Sequence, residues 1–146
     1  MIPRKFAVTT ATLLGVTLAV AGLSIADEKI SLEKQMEKIN AKSSAIRKAT
    51  RTVATWRKDG KNVAKDAEEI AKLGKEVRDD KGPSEKEKKP HEDWTKLMDD
   101  MVKSADELAA LAKKSDATHE QVSASFKSMG KTCSACHAVF KKDDDK

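Results

Sequence analysis

From Leu32 onward, apolar or small residues return at steps of three and four: Leu32, Met36, Ile39, Ser43, Ile46, Thr50 and Val53. This is the stripe of an amphipathic helix, and the spacing predicts a first helix that Asp59-Gly60 stops. A second stripe, Val63, Ala67, Ile70, Gly74 and Val77, ends in Asp79-Asp80-Lys81-Gly82-Pro83, which cannot continue a helix. Ser84 to Lys89 reads as a charged linker. The third stripe is Trp94, Met98, Met101, Ala105, Leu108 and Ala112, widened by Leu97, Val102 and Leu111, with a weak break near Ser115-Asp116. Thr118-His119-Glu120-Gln121 fits a capping box, in which the Thr hydroxyl and the Gln side chain each satisfy an orphan amide. The helix it starts carries Val122, Phe126, Met129, Cys133, Cys136 and Phe140. Four helices with mostly short connections fold most simply as an antiparallel four-helix bundle, so the expected class is all-α.

Ahead of these stripes, Arg4 and Lys5 precede an uncharged run from Phe6 to Gly22, and Ser24-Ile25-Ala26 places small residues where a signal peptidase reads them. The expected organisation is a signal peptide over residues 1–26, cleaved, and one bundle domain over residues 27–146, exported to the periplasm. Left uncleaved, Phe6 to Ala26 is long enough to anchor the chain, the one route to a membrane in this reading.

With 146 residues, 36% of them charged, the chain holds one small domain, which excludes a large multidomain enzyme. The 29 Lys and Arg residues against 24 Asp and Glu give a net charge of +5. These charges are interspersed at helical spacing, and no basic face with interleaved aromatics stands out, so no nucleic-acid partner is expected. Alanines, serines and threonines occupy many inward positions, and only Trp56, Trp94, Phe126 and Phe140 are aromatic after the leader. A core that thin leaves room for something else in the middle of the bundle.

Cys133-Ser134-Ala135-Cys136-His137 is C-x-x-C-H, the attachment sequence of a c-type haem. Two thiols form thioethers with the two vinyl groups, and the adjacent imidazole reaches the iron. On a helix, positions i, i+3 and i+4 share one face, so Cys133, Cys136 and His137 can address the same macrocycle. A disulfide or a thioredoxin-like dithiol needs no following histidine, and zinc needs two more ligands than the motif offers. No Ser/His/Asp or paired-carboxylate arrangement rises above the solvated background, so no catalytic residue and no enzyme activity is expected.

The motif's place on the last helix, and its continuation as CSACHAVFK, resemble the class II c-type cytochromes, the cytochrome c-prime family of four-helix bundles. Their last helix ends in C-x-x-C-H-x-x-F-[RK], matched here by Cys133, Cys136, His137, Phe140 and Lys141. Lys89 to Trp94 (KPHEDW) is similar to the family's Pro and Trp at the start of the third helix, with one residue more between them. The resemblance implies one covalent haem c with His137 as an axial iron ligand. It also makes Met36, in QMEKINAK, the second axial ligand, as in the family's low-spin members. Met36 as plain core packing, with an open sixth position, is the alternative. Met98 and Met101 read as core, His91 and His119 as exposed, and Met129 shares a helix with His137 and cannot reach the opposite face of the ring. The family's first-helix arginine is missing from SLEKQM, which leaves Lys29, Lys34 and Lys141 as candidate partners of the propionates.

The reading that follows is a periplasmic one-electron carrier serving redox partner proteins, with a homodimer among the forms the resemblance implies. Two alternatives stand beside it. One is a haem protein with an open sixth site for nitric oxide or carbon monoxide, and the other is a haem-free helical adaptor with a disulfide.

Overall fold

The computed structural model describes residues 30–141; the expected leader, 1–26, lies outside the described residues. Among these there are six α-helices and no strand: α1 (Leu32–Ala49), α2 (Val53–Asp59), α3 (Val63–Val77), α4 (Gly82–Glu87), α5 (His91–Ala112) and α6 (His119–Phe140). The four long ones, α1, α3, α5 and α6, form the expected antiparallel bundle. Cross-links along its length set the antiparallel order: Gln35 to Glu76 and Lys42 to Asp66 between α1 and α3, Arg78 to Asp99 between α3 and α5, and Trp94 against Phe140 between α5 and α6.

The first helix is shorter than its stripe suggests. Thr50 donates its hydroxyl to the Ile46 carbonyl at 2.8 Å, and Thr52 opens α2 through a reciprocal cap with Thr55. Side chains that bond their own backbone compete with helix continuation, and three threonines within six residues turn the chain here. Val53, expected on the buried stripe, is 44% exposed as a result. A single 3₁₀ turn, Gly60–Asn62, links α2 to α3. Gly60 is required there, because a Cβ would stand 2.5 Å from the Trp56 ring.

The segment expected to be a charged linker also holds a helix. Pro83 ends nothing; it sits in the first turn of α4, where the missing amide would have no partner anyway. Lys88 closes α4 in the left-handed region, at φ 52°, and Pro90 then caps α5. The remaining stripes match the structure closely. All five stripe positions of α3 are buried, as are Trp94, Met98, Met101, Ala105 and Leu108 on α5. Gly74 lets α3 and α5 approach closely, since a Cβ would lie 2.7 Å from both Met101 Cε and Val102 Cγ2. The capping box at Thr118 and Gln121 is formed as expected.

Packing joins α1 to α3, α3 to α5, and α5 to α6. The fourth side, α1 against α6, is open along most of its length. At one end it is closed by two hydrogen bonds into the Thr50 carbonyl, from His119 Nε2 at 2.9 Å and Ser123 Oγ at 3.1 Å. That contact half-buries His119, and His91 is half-buried beside Ser84, so neither histidine is fully exposed as expected from sequence.

Candidate haem site

The open side is a cleft of about 1350 Å³ between α1 and α6. Leu32, Met36 and Ile39 form its α1 wall; Cys133, Cys136, His137 and Phe140 form its α6 wall; Trp94, Met98 and Met101 from α5 make the floor. Cys133, Cys136, His137 and Met36 therefore line one cleft. Met129 does not: it is 1% exposed and belongs to the core. Met98 and Met101 are buried yet also reach the cleft floor.

The level of Met36 follows from helix geometry. Both helices rise about 1.5 Å per residue, and from the Thr50 junction they extend side by side, α1 backward and α6 forward in sequence. Fourteen residues back along α1 lies Met36; the same distance along α6 from the His119–Ser123 pair, about 21 Å, falls near residue 135. Met36 thus faces the segment between Cys133 and His137 from the opposite wall.

The walls suit a flat apolar group. Gly130 lies one turn before Cys133, and a Cβ built there would meet no atom within 4 Å, so open space begins at the helix surface. Trp94, 3% exposed, is fixed by its indole N–H donating to the Val77 carbonyl at 3.2 Å and by edge-on packing against Phe140, with centroids 5.4 Å apart. His137 is exposed at the rim, and its carbonyl accepts from Lys141 N–H.

The thiols argue against dithiol chemistry. They are unpaired in the structure. Burial raises the Cys133 thiol, and burial followed by the neighbouring Cys133 pushes Cys136 up to about 11. Redox-active Cys-x-x-Cys pairs sit at helix N-termini, where the dipole favours thiolate; these two sit in the last turns of α6, at the opposite pole. Among the described residues, no group of three or more His, Cys, Asp or Glu side chains is arranged to hold a metal ion directly. The donor set fits a macrocycle that brings its own iron.

The propionate candidates separate. Lys141 lines the cleft, Lys34 is exposed away from it, and Lys29 is outside the described residues. Sequence reasoning missed Arg47, Arg51, Lys86 and Lys127, which also line the cleft. Their signal was available only once α1 and α6 were placed side by side.

A four-helix bundle with one side left open, and a C-x-x-C-H tether on the wall of that opening, defines a c-type cytochrome of the bundle class. The family model described as Cytochrome C' matches residues 31–141, and the chain belongs to that family, whose proteins carry one covalently bound haem c. Searches of the curated proteins and of the solved structures found no match. Among the described residues, no helix is long and apolar enough to cross a membrane.

Proposed function

We propose that this chain is an exported, periplasmic one-electron carrier, not an enzyme. In it Cys133 and Cys136 hold one haem c through thioethers, and His137 and Met36 ligate its iron. The observation that carries the reading is Met36, which lines the α1 wall of the cleft level with the tether on the α6 wall. When bound, the group supplies an iron that passes between ferrous and ferric states by one electron.

The chain's own residues do the rest. Cys133 and Cys136 would each hold the haem through a thioether made by adding S–H across a vinyl group, a link that needs no oxidant. His137, one position beyond the second thioether, is held close to the ring by the tether itself. Met36 offers a neutral, soft sulfur that favours ferrous iron and raises the potential. With His137 and Met36 both holding the iron, the site would leave no place for substrate or gas. Trp94, Phe140 and Met98 keep water from the inner edge. Redox partner proteins are the expected clients.

The test is the absorption spectrum of the reduced holo-protein with and without carbon monoxide. A six-coordinate low-spin spectrum that carbon monoxide leaves unchanged supports the carrier. A high-spin spectrum with prompt carbon monoxide binding would replace it with a gas-binding protein. Covalent attachment is checked separately: the double variant Cys133→Ser/Cys136→Ser should lose all haem on acid-acetone extraction, and each single variant part of it.

A further inference from the structure

Four glycines lie among the described residues, and three are accounted for by the protein itself. A Cβ would stand 2.5 Å from the Trp56 ring on Gly60, 2.7 Å from Met101 and Val102 on Gly74, and 3.1 Å from the Asp80 carboxylate on Gly82, which opens α4. Gly130 differs. It lies in the interior of α6, its φ is not positive, and a Cβ there would meet no atom within 4 Å. Glycine inside a helix weakens folding about fivefold relative to alanine. Neither the backbone of this chain nor its packing accounts for that cost at Gly130.

Its place on the helix does. Phe126, Gly130, Cys133 and His137 follow one another at steps of four, three and four, so they share one face of α6, and all four line the cleft. Gly130 is the gap in that row. It stands one turn, about 4.5 Å, before Cys133 and two turns, about 10.5 Å, before His137. Helical side chains lean toward the N-terminus of their helix, so Cys133 and His137 both lean toward Gly130. Whatever those two hold is brought over the stretch of α6 that carries no side chain.

We propose that Gly130 is a positioning residue for the tethered haem: its bare backbone lets the ring lie directly against α6, and a side chain there would push the ring outward toward the cleft mouth. The proposal rests on the covalent tether and not on whether Met36 binds the iron. The surrounding turn suggests one competing role. Thr132 Oγ1 donates to the Met129 carbonyl at 2.7 Å, and Ser134 Oγ donates to the Gly130 carbonyl at 3.1 Å. Hydroxyls that bond back in this way loosen a helix, which would make Gly130 a soft hinge used while the cofactor is attached.

The experiment compares purified holo-proteins: wild type, Gly130→Ala, Gly130→Leu and Ala124→Leu, the last adding comparable bulk at an exposed α6 position that does not line the cleft. Three quantities are read: the melting temperature, the reduction potential, and the circular dichroism of the Soret band, which follows the orientation of the ring against its surroundings. Were helix propensity all that mattered, Gly130→Ala would melt roughly 4 °C above wild type. With the ring against the backbone, it should melt at or below wild type and show an altered Soret signal. Gly130→Leu should change that signal further and lower the reduction potential, because a ring displaced toward the mouth meets more water, which favours the charged ferric state. Ala124→Leu should match wild type in both. A Gly130→Ala protein that melts higher, with wild-type Soret signal and potential, would overturn the proposal. A reduced covalent haem content with both properties unchanged in the haem-bearing fraction would also overturn it, and would assign Gly130 to the hinge. If Gly130→Leu does not accumulate, Gly130→Ala decides by the same criteria. Failure of the tether itself is seen independently, as haem lost from the wild type on acid-acetone extraction.

Discussion

Replacing Met36 by alanine separates two roles that a methionine in a helical core usually confounds. Met36 is half-buried on the cleft wall, and Met129 is 1% exposed in the core of the same bundle. Truncating a fully buried methionine costs about 2–5 kcal/mol, so Met129→Ala should fall in that range. Met36, burying about half as much against protein, should lose roughly 1–2 kcal/mol from packing alone. In a domain of this size each kcal/mol lowers the melting temperature by roughly 4 °C, so Met129→Ala should be the less stable variant. The spectra should rank in the opposite order. Met36→Ala should convert reduced haem from six-coordinate low-spin to five-coordinate high-spin, open the iron to carbon monoxide and lower the reduction potential. Met129→Ala should leave all three unchanged. The assay is therefore a thermal melt paired with a reduced spectrum, taken with and without carbon monoxide, for both variants and for Met98→Ala and Met101→Ala. Low-spin Met36→Ala with a normal potential would refute the ligand assignment, and high-spin Met98→Ala or Met101→Ala would move it to the cleft floor.

Gly74→Ala should destabilise the bundle by about 1–2 kcal/mol. The Met101 tip can swing away from a new Cβ but the Val102 branch cannot, and the gain in helix propensity offsets only part of that clash; a chemical-denaturation midpoint at or above wild type would contradict the close approach. The Cys136 thiol, pushed up to about 11 by burial, lies above its ordinary value of 9.0. A folded-state value raised in this way gives stability that is complete below about pH 9 and is lost as pH climbs through 11. The haem-free chain should therefore show a falling melting temperature across that window. The holo-protein, with both sulfurs in thioethers, should lack that alkaline limb, and identical limbs would count against thioether formation.

The periodic parts of this fold were legible because buried faces impose spacing. The stripes of α3 and α5 were readable residue by residue, and the Thr118–Gln121 cap marked the start of α6. The break after α1 was not readable from periodicity, because Thr50 and Val53 continue the stripe in number while the threonine hydroxyls end the helix in fact. Pro83 misled in the opposite direction, since a residue that stops one helix also suits the first turn of the next. The C-x-x-C-H tether was visible as spacing alone, and the thin core pointed to a missing occupant. What one dimension could not give was the open α1–α6 side and the half-burial of His119 against Thr50. Each of these depends on which helices lie side by side.

The Thr50 junction also bears on the order in which the molecule is put together. His119 and Thr50 are 69 residues apart in the chain, and Ser123 and Thr50 are 73 apart. Contacts of such separation carry the largest loop-closure cost and are expected to form after α3 and α5 have paired through their nearer partners. Until then the wall bearing Met36 is not yet opposite the wall bearing the cysteines, and the tethering thiols on α6 stay accessible to whatever machinery attaches the cofactor. On that order, a group already tethered to α6 would be the apolar surface on which the first helix condenses.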